Sequence, residues 1–288
     1  MDYPQLYFSE SFKKIIESEN FEKESPVAPT YPKYHTGLFS LFTRKNKTLK
    51  DDYLKELAKF NIDNNNYKKE KKIIREIGID EFNNQKKLET IQRFLSNSWN
   101  HINNKDYKKG YWHDEFKDTL QYYFKNRIFE SISIKNSDIE DYEDKYFTSI
   151  DLYVTDLAYI ENNIKIDIEI DEPYTFKTQR AIHLDDNDRN LFFLQHNWFI
   201  IRFCEEQVIH FPDECIKVIE NYIRFIKTGN MKYYYLSKNS ITNLPKWNES
   251  SVKKMIHSNY REKYIALYSQ KLKEAREQSQ ANSKNRAI

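Results

Sequence analysis

Polar and apolar residues alternate without a break from 164 to 171, reading Ile-Lys-Ile-Asp-Ile-Glu-Ile-Asp. Successive side chains of a β-strand point to opposite faces, so Ile164, Ile166, Ile168 and Ile170 face a core. Lys165, Asp167, Glu169 and Asp171 then line the other face. A second alternating run covers 149–160, with Ile150, Leu152 and Val154 on one face and Asp151, Tyr153 and Thr155 on the other. Glu161-Asn162-Asn163 between the two runs is a turn signal, so the pair predicts a hairpin. Residues 128–134 read as an earlier strand. The mostly apolar run 198–203 (Trp-Phe-Ile-Ile-Arg-Phe) reads as a strand buried inside a sheet. Pro173 ends pairing after the acidic strand.

Helical spacing surrounds these strands. A helix is predicted after Gly110, opened by Trp112-His113-Asp114-Glu115 and running to about Arg127, where Asp114 is a candidate cap and Phe116, Leu120, Tyr123 and Phe124 form a stripe. Further helices are predicted over 186–196, with Asn197 as C-terminal cap, and over 212–227, opened by Pro212 and stopped by Gly229. Residues 48–102 read as helices, with an interruption at 61–66 and Gly78 as a cap. Residues 249–278 read as a terminal helix, and 1–48 as irregular. From 115 onward the order is helix, strand, strand, strand, helix, strand, helix. The expectation is an α/β fold with a mixed sheet flanked by helices and with helical extensions at both ends. The corresponding domains are 1–109, an irregular and basic helical region; 110–228, the core; and 229–288, a helical extension.

Composition narrows the chemistry. Four glycines in 288 residues leave little for a Gly-rich phosphate loop, and Cys204 and Cys215 are the only cysteines. That count excludes a disulfide framework and a CxxC zinc site. The histidines lack HExxH or HxH spacing, and GxSxG is absent. No apolar run is long enough for a membrane span and no signal peptide is evident, so a cytoplasmic setting is expected. Abundant Lys, Asn, Ile and Tyr are associated with AT-rich, bacterial genomes.

The net charge of +2 hides an uneven layout. Residues 41–75 hold 11 Lys/Arg against 5 Asp/Glu, and 253–288 hold 9 against 3, whereas 138–172 hold 12 acids against 2 lysines. An acidic centre between basic flanks suits a protein that grips a polyanion and concentrates cations at one point. Ordinary solvated charge is the plainer account of either flank alone. Three carboxylates on one strand face repel unless a cation sits among them or the face is wet. Asp151 and Glu169 on paired strands form a hard oxygen set suited to Mg²⁺ or Mn²⁺. Asp171 follows on the same face, and Glu115 is a further carboxylate. Lys-Tyr runs at 67–69 and 232–235 are candidates for stacking on bases.

Asp151, then Ile168-Glu169-Ile170-Asp171-Glu172-Pro173, then Asp186-x-x-Arg189-Asn190, then Asn197-Trp198-Phe199-Ile200-Ile201-Arg202-Phe203 together resemble the PD-(D/E)XK nuclease superfamily. The likeness leans to the very-short-patch-repair and restriction-endonuclease-like branch, over residues 110–228. It implies a restriction-endonuclease-like fold and a metal-dependent endonuclease, a hydrolase of phosphodiester bonds. Asp151 and Glu169 would be metal ligands, Asp171 would stand at the usual catalytic Lys position, and Glu115 would match the helix Glu. Arg189 and Arg202 would contact phosphate or pair with carboxylates, and Lys177 would reach back from its loop. His113 and His183 are further candidates near the acidic face. The implied partner is nucleic acid, DNA before RNA, with no membrane and with room for a protein partner or a second copy. An effector of bacterial anti-phage defence or of a mobile element is one version. The absent Lys supports an alternative, a non-catalytic nucleic-acid-binding or assembly subunit.

Overall fold

A computed structural model describes residues 2–19, 21, 23–33, 44–98, 101–103, 110, 112–134, 153–184 and 186–285, with the backbone alone described at 44–46, 101–103, 134, 275, 276 and 278–285. The chain divides into two compact units. One comprises Met1–Ile16 with Thr90–Ile288, the other Glu17–Glu89.

The larger unit is built on a five-stranded mixed sheet. Its strands are β1 (Gln5–Tyr7), β3 (Ile128–Glu130), β5 (Leu157–Glu161), β6 (Ile164–Asp171) and β7 (Phe199–Cys204), in the spatial order β1-β7-β6-β5-β3. β5 and β6 form the expected antiparallel hairpin, and β6 runs parallel to β7. β3 pairs antiparallel with β5, and β1 antiparallel with β7. A separate short pair joins β2 (His101–Asn103) to β4 (Ile132–Ile134). The run read as one strand over 128–134 is thus split between two sheets. Ser131, at φ 53°, makes the break.

β6 spans the alternating run, and its two faces meet different partners. Ile164, Ile166, Ile168 and Ile170 join a core with Leu157, Phe199, Ile201 and Phe203. Helices α1 (Glu10–Glu17), α4 (His113–Phe124) and α7 (Pro212–Thr228) feed this core through Phe12, Phe116, Leu120 and Ile219. The opposite face is covered by α5 (Asn187–Gln195), whose Phe193 packs with Ala158, Trp198 and Ile200. Helices therefore flank both faces of the mixed sheet.

The N-terminus enters the sheet, contrary to the irregular reading of 1–48. Gln5 pairs with Arg202 and Tyr7 with Ile200, and the buried Leu6 points into the main core. The expected boundary at 109 is therefore crossed by β1. Beyond α7, Gly229 takes φ 63° and ends the helix, as its lack of a Cβ allows. After β7 come the short helix α6 (Glu205–His210) and later α8 (Met231–Lys238), neither anticipated from the pattern. The predicted terminal helix is two, α9 (Glu249–His257) and α10 (Tyr260–Asn285). Asn259, at φ 50°, separates them.

The smaller unit consists mainly of α2 (Arg44–Ile77) and most of α3 (Ile79–Ser96). α2 runs unbroken through the Asn-rich stretch expected to interrupt it. Gly78 caps it with φ 86°. Among the described residues, no helix is long and apolar enough to cross a membrane.

A buried ion pair ties α10 to α6 and to the end of β6. Arg261 donates from Nε and Nη2 to the two oxygens of Glu205, each at 2.6 Å, and lies 2.9 Å from Glu172. Its guanidinium stacks over Phe176 at 3.8 Å. Removing one member of such a pair strands the other in low dielectric, so Arg261→Met should cost about 3–5 kcal/mol. Urea unfolding measures this, and a change of only a few tenths would show that the pair contributes little.

Candidate acidic site on strand β6

The acidic face of β6 is not wet. Asp167, Glu169 and Asp171 are buried, at 0%, 1% and 1% exposure, because α5 lies over them. Buried carboxylates need protons, hydrogen-bond donors or cations. The structure supplies these in two unequal arrangements along one strand.

At the C-terminal end the charges match. Arg202, opposite Glu169 on β7, donates from Nε and Nη2 to the two oxygens of Asp171, at 2.9 and 2.6 Å. It also donates to Asp186 Oδ2 at 2.5 Å and to Asn190 Oδ1 at 3.1 Å. His183 Nδ1 lies 3.2 Å from Asp186 and 3.4 Å from Asp171. Burial would lower the His183 pKa, but Asp171 and the bond to Asp186 outweigh it and hold it up at about 9. Burial would raise Asp186, but His183 and Arg202 bring it down to about 2. Two carboxylates thus face two cations, and Tyr3 adds a hydrogen bond to Asp171 at 2.9 Å. Asp171, His183 and Asp186 are close enough to hold a metal ion, but the Arg202 guanidinium already lies among them.

One step upstream the charges do not match. The β5–β6 register puts position 156 opposite Glu169, because Leu157 pairs with Ile168. The Asp156 amide donates to Glu169 Oε1 at 3.1 Å, and Asp156 Oδ2 accepts from the Ile170 amide at 2.9 Å. Two side-chain bonds therefore replace the ladder where the hairpin opens. His113, at the start of α4, donates from Nε2 to the Asp156 carbonyl at 2.9 Å and holds this end in place. Arg189 of α5 pairs with Glu169, donates to the Val154 carbonyl at 2.7 Å, and lies 3.8 Å from Asp167. Asp156, Asp167 and Glu169 thus gather around one guanidinium.

The consequence shows in the hydrogen bonding. With all three acids ionised, neither Asp167 oxygen nor Glu169 Oε2 has a hydrogen-bond donor. Burial, with Asp167 adding to it against the pull of Arg189, pushes Glu169 up to about 8. Burial and then Glu169 raise Asp156 to about 6, and burial raises Asp167. A proton on Glu169 relieves the conflict by bonding to Asp167. A bound cation would relieve it in the proton's place.

The expected site residues distribute as follows. Glu169 is at the centre of the unmatched cluster, and Asp171 is held by Arg202. Both arginines are at the site, and both pair with carboxylates. Glu115 is exposed on α4, and Lys177 is exposed in the loop after Tyr174. Lys165 donates to the Ser98 carbonyl at 3.1 Å. Asp151 lies outside the described residues. The position opposite Glu169 belongs to Asp156, to which the sequence reading gave no role. Counting outward from a two-residue turn at 162 and 163 would have found it.

Proton linkage gives these shifts a measurable consequence. A carboxyl raised from 4.5 to about 8, as in Glu169, or from 3.8 to about 6, as in Asp156, contributes stability that is lost as pH rises through that window. His183, raised from 6.5 to about 9, loses its contribution over an overlapping range. With divalent ions chelated, the thermal midpoint should therefore fall between about pH 5 and about pH 8.5, and Glu169→Gln should flatten the decline. A midpoint that rises with pH over this range would contradict the arrangement.

Comparisons with protein-family models, with curated proteins and with solved structures gave no match for this chain.

Proposed function

We propose that the protein is a Mg²⁺- or Mn²⁺-dependent nucleic-acid phosphodiesterase, acting on DNA before RNA, built on a restriction-endonuclease-like fold. The observation that carries this reading is the unmatched cluster. Asp167 and Glu169, both buried, face the single guanidinium of Arg189 and keep three oxygens without a donor, while Asp171 on the same strand is neutralised. A fold that pairs Asp171 so fully and leaves Asp167 without a donor has kept capacity for a further cation. The donor set is all carboxylate oxygen, which suits a hard divalent ion and not zinc.

Asp156 and Glu169 would hold the ion, with Asp167 beside them. When bound, such an ion lowers the pKa of a coordinated water and offsets charge on a phosphate under attack. The chain's own groups do the positioning. His113 fixes the Asp156 backbone, and the network of Arg202, Asp171 and Asp186 fixes the end of β6. The order of α4, β3, β5, β6, α5 and β7, with a hairpin leading into a parallel strand through a helix, supports the nuclease resemblance. In the smaller unit, residues 44–77 carry 11 Lys/Arg against 6 Asp/Glu, a charge suited to a polyanion.

A second reading, a non-catalytic nucleic-acid-binding subunit, is favoured by one observation. Arg189 already pairs with Glu169, and an acid stands at position 171 where a catalytic Lys is usual. The two readings separate in one assay. Supercoiled and linear DNA, single-stranded DNA and RNA are incubated with the full chain and Mg²⁺ or Mn²⁺. Cleavage that falls at least about 100-fold in Asp156→Asn and in Glu169→Gln supports the nuclease, a loss within the range for removing a metal ligand or a charge-stabilising group. Salt-sensitive binding with no cleavage of any substrate supports the second reading. Cleavage unchanged in both variants removes the assigned site.

A further inference from the structure

Arg189 and Arg202 reach the same face of β6, yet they are held very differently. Arg202 uses Nε, Nη1 and Nη2, bonding Asp171 twice and Asn190 and Asp186 once each. Its side chain is 2% exposed. Both hydrogen bonds of Arg189 leave from Nη2, to the Val154 carbonyl and to Glu169. Its Nε is buried without an acceptor, and its side chain is 13% exposed. Around it lie the three carboxylate oxygens of Asp167 and Glu169 that lack donors. One cluster therefore contains an unused donor and unused acceptors, an arrangement that hydrogen bonding within the protein normally removes. A cation would satisfy the acceptors, and an anionic oxygen would satisfy the Nε–H.

We infer that Arg189 is an exchangeable partner of Glu169: it pairs with that carboxyl group in the metal-free protein, yields it to a divalent cation, and presents its guanidinium to a phosphodiester oxygen of the substrate. The inference rests on the metal-dependent reading above and adds a coupling to it. Metal and guanidinium compete for Glu169, so the metal displaces a positive charge already in place. That charge is then available beside the ion, where a planar donor fork suits phosphate. Arg202 cannot exchange in this way, because each of its three nitrogens is already bonded and its carboxylates are already matched.

The test is calorimetric titration of Mn²⁺ into the full chain at neutral pH. Wild type is compared with Arg189→Gln, Arg189→Lys and Glu169→Gln, each checked for folding by circular dichroism. Removing the competing charge should tighten Mn²⁺ binding about tenfold or more in Arg189→Gln. Arg189→Lys, which keeps the charge, should stay near wild type, and Glu169→Gln should lose binding. Equal or weaker binding by a folded Arg189→Gln, with Glu169-dependent binding intact in wild type, overturns the exchange and leaves the metal site standing. Absence of Mn²⁺ binding in wild type and in Arg189→Gln overturns both. If Arg189→Gln does not fold, the arginine Nε–H resonances of the wild-type chain give the answer. The Arg189 signal should shift on saturation with Mg²⁺, and an unmoved signal in the Mg²⁺-bound protein overturns the exchange.

Discussion

Burying the acidic face of one central strand is the constraint from which the rest follows. β6 must be buried on both faces, because it lies between β5 and β7 with helices above and below. Its isoleucine face meets that demand by ordinary apolar packing. Its other face carries three carboxylates, and an isolated buried carboxylate is too costly to persist ionised. The neighbouring elements are chosen accordingly. β7 brings Arg202 alongside, α5 brings Arg189 and Asn190, and the loop before α5 brings His183 and Asp186.

The same demand explains contacts far apart in the chain. Tyr3 reaches Asp171 across 168 residues of sequence, which fastens the N-terminal strand to the charged face as well as to its β7 ladder. The segment that follows β7 repeats the solution with Glu205, Arg261 and Tyr264, so α10 is anchored by an ion pair and by a tyrosine hydroxyl. Ion pairs of this kind add less net stability than apolar packing of equal volume would. They specify which segments meet, because any other partner would leave a bare charge behind.

Much of this was legible in the sequence, and the gaps have physical causes. The alternation at 164–171 and the apolar run at 198–203 marked two central strands, since period-two patterns and short buried runs have few other readings. Gly78, Gly229 and Asn197 marked helix ends, and all three take positive φ. β1 was hidden because three residues carry no periodicity, and their strand character comes from a partner almost 200 positions away. The Asn-rich stretch of α2 looked like a break because propensity is a weak guide once flanking turns continue the helix. The carboxylates of β6 were visible as a set, but Asp156 was not singled out, because placing it opposite Glu169 takes the register across the turn. A register is fixed by turn length, which the sequence reading placed only within a residue or two. That the face would be closed by arginines, and not wet, depended on where α5 lands, and no local pattern reports that.

The asymmetry along β6 also bears on the lysine that the nuclease resemblance would place at position 171. A lysine at position 171 would face Arg202 at close range in a dry interior, and two buried cations repel. Asp171 and Arg202 therefore go together: with the arginine on β7, an acid at 171 is the residue that closes the network. The face still carries an incompletely matched positive charge. It sits two residues upstream, on Arg189 from α5 against Glu169. On the proposed metal-dependent reading, the cationic group near the phosphate would come from the helix and not from the strand. The end of the strand, closed by Arg202, Asp171 and Asp186, would then brace Asp156, Asp167 and Glu169 against their own repulsion.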